Sequence, residues 1–222
     1  FTFTVNATNP SSVPMGVLFN TADGSAVSIP APPVGANDYQ AGMGGLLIPQ
    51  GATTGTITVW VNADLIQEST EVFTIVLSAP SNAVLDPIDF IGYGTIANDD
   101  VTSVSIGDVT ELEGNVGTRN AVFTISLSLQ VDIPTLVDYT VAAGGAVPAI
   151  PGVDYNSLIF GTLTFLPGIT SMQVIVPIYG DVIDEEDETF LFQISANALN
   201  PALVISDNEA LGTITDDDPD TT

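Results

Sequence analysis

The densest chemistry in the sequence is the run Asp181-Val182-Ile183-Asp184-Glu185-Glu186-Asp187-Glu188, together with Asp154 and the closing Asp216-Asp217-Asp218. Carboxylates at this density disfavour one another's ionisation, so a counter-cation is expected among them. Histidine and cysteine are absent, which leaves oxygen as the ligand atom. Calcium takes about six to eight oxygens in flexible loop geometry, whereas magnesium demands a tighter octahedron and keeps more of its water. Zinc is disfavoured without imidazole or thiolate. The spacing is not that of an EF-hand, which needs alternating ligand positions, a central glycine and flanking helices. The ligands must therefore be gathered from several loops at one end of a domain. Acidic runs also solubilise loop ends without binding anything.

The same composition excludes most catalytic chemistry. With neither histidine nor lysine, a serine nucleophile has no base and no Schiff base can form. Asp184 and Glu188 resemble the paired carboxylates of a glycosidase only superficially, because no sugar-stacking aromatics lie beside them and Trp60 sits in an alternating strand pattern. Gly144-Gly145 and the glycines between Gly42 and Gly45 read as turns, since no helix follows to cradle a phosphate. The chain is expected not to be an enzyme. Its 27 acidic residues face a single base, Arg119, for a net charge of −26. Nucleic acid and anionic membrane surfaces are thus poor partners. No apolar stretch approaches the roughly 18 residues of a membrane span, so direct membrane insertion is not expected. Asn6-Ala7-Thr8 fits a glycan acceptor site.

The elements that must position these carboxylates come in two copies. Phe3-Thr4-Val5 matches Phe123-Thr124-Ile125, Asp38-Tyr39 matches Asp154-Tyr155, and Asp64 with Glu68 matches Asp181 with Glu185. Each copy closes on Gly-Thr-Ile and an acidic run, Gly94 to Asp100 and Gly212 to Asp218. Within each copy apolar residues alternate, as in Ile57, Val59, Val61 and in Phe190, Phe192, Ile194, the period of a half-buried strand. Glycine and proline punctuate these runs. With 45% apolar residues, each copy can bury a core. The expectation is an all-β chain of two tandem immunoglobulin-like antiparallel sandwiches, residues 1–100 and 101–222.

The copies differ at their beginnings. The second opens with Val101 to Asn120, including a strand-like Val104-Ser105-Ile106 and the acidic turn Glu111-Leu112-Glu113-Gly114. Phe1 already aligns with Ala121, so the first copy lacks its opening strand. Either the sequence begins late, or a neighbouring subunit donates the strand.

Taken together, Gly152-Val153-Asp154-Tyr155, the stretch Gly161 to Gly168, Asp181 to Phe190, and Gly212-Thr213-Ile214 before the aspartates resemble the Calx-β motif. The first copy carries a weaker version in Asp38-Tyr39, Glu68 to Phe73, and Gly94-Thr95-Ile96 before Asn98-Asp99-Asp100. The motif is found in sodium–calcium exchangers, an integrin β subunit and many bacterial surface proteins. The resemblance implies Ca2+ ligands at Glu113, Asp154, Asp181, Glu185, Asp216, Asp217 and Asp218 in the second copy. In the first it implies Asp38, Asp64, Glu68, Asp99 and Asp100. Gly180 and Ala63 stand where calcium-sensing members carry another aspartate, and Asn98 replaces the first aspartate of the terminal run. Fewer or weaker ions are expected in the first copy.

These features point to a calcium-binding unit of an extracellular fibre or cell-surface adhesin, self-associating into a filament or tandem array. A regulatory calcium-sensing module, or ligand binding through the loop Ser28 to Asn37, are the alternatives.

Overall fold

The structure is a computed structural model that describes residues 1–28, 37–200 and 203–219. Most of the loop from Ser28 to Asn37, residues 29–36, lies outside the described residues. The chain divides into two compact units, Phe1–Asp100 and Val101–Thr222, and every regular element described is a strand.

The first unit contains β1 (Thr2–Asn6), β2 (Met15–Ala22), β3 (Met43–Ile48), β4 (Thr54–Thr58), β5 (Ile66–Gln67), β6 (Glu71–Ser81) and β7 (Ile91–Ile96). One sheet has the order β3-β2-β6-β7, and β1 pairs with β4. Alternation drives Ile57, Phe73 and Ile75 inward, where they meet Ala26, Tyr39 and Val59. Tyr39 stacks on Phe73 at 4.4 Å between ring centroids, and Phe1 and Phe3 meet the same ring edge-on at 5.7 and 5.9 Å.

The second unit contains β8 (Ser103–Ile106), β9 (Val109–Leu112), β10 (Gly117–Leu127), β11 (Gln130–Val131), β12 (Thr135–Ala143), β13 (Phe160–Phe165), β14 (Ser171–Gly180), β15 (Glu188–Ala196), β16 (Val204–Ile205) and β17 (Glu209–Thr215). Its sheets have the orders β14-β10-β8-β16 and β13-β12-β15-β17-β9. Their inner faces close over Phe123, Phe165, Phe190 and Phe192, all fully buried. Tyr155 stacks on Phe190 at 4.6 Å, repeating the Tyr39–Phe73 pair.

These aromatic pairs explain the glycine of the repeated Gly-Thr-Ile. A Cβ on Gly94 would lie 2.4 Å from the Phe73 ring, and one on Gly212 2.3 Å from the Phe190 ring. Each glycine admits a core ring over its own strand.

The opening segment of the second unit divides between both sheets. β8 pairs antiparallel with β10, while β9 crosses to the other sheet and pairs parallel with β17. The Asp108 carboxylate fixes the corner by accepting the Leu211 N–H at 2.8 Å. The pairings β9–β17 and β8–β16 are parallel in otherwise antiparallel sheets. In the first unit β1, β4 and β7 take the places of β10, β14 and β17 in the repeat, and no counterpart of β8 or β9 is present among the described residues. The first sandwich lacks its opening strand.

Phe190 touches Phe123, Tyr155 and the Gly212 backbone, so Phe190→Ala is expected to lower the stability of the second unit by about 3–5 kcal/mol. Chemical denaturation followed by circular dichroism checks this as an earlier midpoint.

Candidate metal centre

Strand register gathers the carboxylates at one end of the second unit. In the parallel β9–β17 pair Glu111 lies opposite Ile214 and Leu112 opposite Thr215. The Glu113 N–H then donates to the Thr215 carbonyl at 3.1 Å, which carries the pairing to the first residue of the aspartate run. Antiparallel pairing places Glu188, the first residue of β15, opposite the same Ile214. Glu113, Glu188 and the run beginning at Asp216 thus emerge from three adjacent strands at one sheet end.

Asp154 arrives from the loop between β12 and β13. Tyr155, fully buried against Phe190, anchors that loop and bridges to Ile178. One Asp154 oxygen accepts the Ile150 N–H at 2.5 Å, and its carbonyl accepts the Tyr179 N–H at 2.8 Å. Asp38 repeats this arrangement beside Tyr39, accepting the Val27 N–H at 2.5 Å and, through its carbonyl, the Asn62 N–H at 2.9 Å. Each aspartate uses one carboxylate oxygen to hold its own loop.

Three groups of carboxylates among the described residues each bring one oxygen per residue within 4.8 Å of the others: Glu113, Asp216 and Asp218; Asp154, Glu185 and Glu188; and Asp38, Glu68 and Glu71. In the first group Glu113 is 4% exposed, and Glu113 Oε1 and Asp218 Oδ2 are buried without a hydrogen-bond partner. A buried carboxylate oxygen with no donor carries the full cost of its lost hydration. A divalent cation bound by several oxygens removes that cost, so these residues fit a hard metal ion.

Electrostatics joins the two groups of the second unit. Burial first, then the charges of Asp181, Glu185, Asp216 and Asp218, raise the Glu113 pKa from 4.5 to about 7. Burial, then a hydrogen bond to Asp154 and the charges of Asp154, Glu185 and Glu113, raise Glu188 to about 7 as well. Glu185 is raised by burial and by Asp154, Asp181 and Asp216. The effects that raise these values are relieved by a bound cation.

The remaining expected ligands have other places. Asp217 is exposed and accepts the Gly114 N–H at 2.9 Å, so it clamps the turn after Glu113. Asp181 accepts the Ile183 N–H at 2.8 Å, and its charge acts on Glu113 and Glu185. Asp64 accepts the Ile66 N–H at 2.9 Å. Asp99 is exposed and Asp100 half-buried, and neither joins a three-carboxylate group among the described residues. Asn98, in place of an aspartate, accepts the Glu68 N–H at 2.9 Å and donates to the Asp100 carbonyl at 2.6 Å. Glycine at position 180 also has a steric reason: a Cβ there would lie 1.7 Å from the Gly114 carbonyl oxygen. The backbone beside Glu113 fills the space an aspartate would need.

Glu71 and Glu188 were not among the ligands expected from sequence. Their signal is the repeated Glu-x-x-Glu, Glu68 with Glu71 and Glu185 with Glu188, in which the second glutamate is the first residue of β6 or β15.

The metal-free chain is expected to lose stability as pH rises between about 5 and 8. Glu113 and Glu188 hold protons in the folded state that the unfolded chain has released, so their contribution is full below about 4.5 and gone above about 7. Asp23, lowered mainly by its hydrogen bond from Tyr39, acts oppositely and only at lower pH. Thermal melts in chelator across this range check the slope, and saturating calcium should flatten or reverse it.

The Calx-beta domain family model matches the chain twice, over residues 1–110 and 97–218. Solved structures with a similar backbone include the apo form of the Calx CBD1 domain, at 20% identity over 54% of this chain and 100% of that one, with a TM-score of 0.46. They also include the calcium binding domain CBD12 of CALX1.1, at 21% identity over 88% of this chain and 71% of that one, and CBD12 from CALX1.2, at 19% over 96% and 92%. Both have a TM-score of 0.41. No curated protein matches.

Proposed function

The chain belongs to the Calx-beta domain family, once in each half, and from that premise we propose that it is a non-enzymatic, calcium-binding structural unit of an extracellular fibre or surface adhesin. The observation that carries the calcium assignment is the pair of buried, partnerless oxygens, Glu113 Oε1 and Asp218 Oδ2, within an oxygen-only group. Calcium suits that set because the ligands come from a turn, a strand end and loops whose spacings are free to adapt. When bound, the ion neutralises charge and ties the sheet end carrying β9 and β17 to the loop carrying Asp154. It stabilises the folded unit by mass action, by about 2.7 kcal/mol at a hundredfold excess over its dissociation constant.

Two features support the fibre reading. The chain is a tandem repeat of sandwiches, and the first sandwich presents an unfilled sheet edge of the kind that proteins normally cover. An edge filled from another subunit is a heterologous contact, which propagates into a filament when it does not close. An extracellular or surface location follows from this reading, since extracellular calcium modules work at millimolar ion levels.

Electron microscopy of the native protein in millimolar calcium and after chelation tests the proposal. Filaments that shorten or fall apart on chelation are expected. Monodisperse particles in both conditions would overturn the fibre reading and favour a regulatory calcium-sensing module.

A further inference from the structure

The first unit has a groove where the second has strands. A cavity of about 680 Å³ runs past Val5, Ala7, Met15, Leu77 and Val84, and one of about 140 Å³ past Phe3, Ile57, Ile75 and Gly92. The two share Val5, Asn6, Leu77 and Asp89, so they form one trough along the edge of β1. Val5 and Ala7 correspond in the repeat to Ile125 and Leu127. In the second unit those residues pair with Ile106 and Val104 of β8, which are buried to 3% and 0% exposure. β1 pairs only with β4 among the described strands, and β7 only with β6.

The second unit therefore displays the ligand that the first unit's groove fits. We infer that the groove is an acceptor for an extended segment of a neighbouring chain with the chemistry of residues 103–113. That segment has two apolar residues, one apart, running antiparallel beside β1, then a turn, then a strand parallel to β7 that ends in a glutamate. This rests on the structural-unit reading above and names what joins one unit to the next. Main-chain hydrogen bonds to the two sheet edges supply affinity, and the alternate apolar side chains filling the trough supply specificity.

The terminal glutamate makes the inference specific. Glu113 stands beside Asp216 and Asp218, whose counterparts in the first unit are Asn98 and Asp100. An incoming glutamate would meet Asn98 and Asp100 there. Asn98 is already hydrogen-bonded to Glu68, a member of the Asp38–Glu68–Glu71 group. That acidic end repels a further carboxylate without a cation and attracts it with one. Strand donation and ion binding at the first unit are thereby linked, and each must strengthen the other by the same factor.

The test uses the full chain and, as probe, a fluorescent synthetic peptide of residues 102–114. Its anisotropy is titrated in calcium and in chelator, and chemical shifts report where it binds. One peptide per chain is expected, with shifts confined to the first unit around Val5, Leu77 and Gly92, and binding at least about tenfold tighter in calcium. A Glu113→Gln peptide should bind equally in both conditions, and a peptide carrying Val104→Ser and Ile106→Ser should not bind. No peptide binding, with calcium still raising the melting temperature of the second unit, would overturn the acceptor groove and leave the calcium assignment standing. Equal binding of the unaltered peptide with and without calcium would overturn the linkage. A native protein that sediments as a monomer at every concentration would overturn the neighbouring chain as the source.

Discussion

Mutual repulsion among carboxylates held at a sheet end is the constraint on which the second unit turns. Glu113, Glu188 and the run from Asp216 emerge from adjacent strands because β9 and β15 both pair with β17, so the backbone hydrogen bonds that build the sheet also force the charges together. The chain has one arginine to oppose them, and Arg119 lies 3.7 Å from Glu111 instead, a partly exposed pair that contributes little. Protonation relieves the strain below neutral pH, and a hard cation relieves it above. The fold thus leaves an electrostatic debt whose natural creditor is calcium.

The aromatic core sets the precision of that arrangement. Tyr39 and Tyr155 are fully buried, each stacked on the first phenylalanine of a central strand, and each holds an aspartate immediately before it in sequence. A displaced ring would move Asp38 or Asp154 with it. Gly94 and Gly212 belong to the same device, because only glycine lets the phenylalanine ring cross its strand. The tyrosines also differ. Tyr39 donates to Asp23 at 2.5 Å, whereas the Tyr155 hydroxyl is buried without a partner.

Much of the architecture was legible in the sequence because it rests on periodicity. Alternation of Phe190, Phe192 and Ile194 marked a central strand, and the repeat of Asp-Tyr and Gly-Thr-Ile gave two sandwiches with the first lacking its opening strand. The crossing of residues 103–113 from one sheet to the other was not legible. It depends on a parallel pairing between β9 and β17, and parallel partners leave no local turn signature. The site divides along the same line. Glu113, Asp154 and Glu185 were chosen by type and motif, but Glu71 and Glu188 become ligand candidates only once the strand register is known. Asp217 looks like its neighbours in sequence, yet it spends an oxygen on the Gly114 amide because residues in an extended run point alternately. Gly180 reads as a missing ligand until the Gly114 carbonyl is seen to occupy its side-chain space.

The most direct measurement is a crystal structure grown in calcium, with anomalous scattering collected at a wavelength where calcium contributes. The account predicts ion density among the carboxylate oxygens of Glu113, Asp216 and Asp218, with Glu113 Oε1 as a ligand, and further density bounded by Asp154, Glu185 and Glu188. Water alone at both places, with the Glu113 carboxyl protonated at neutral pH, would contradict it.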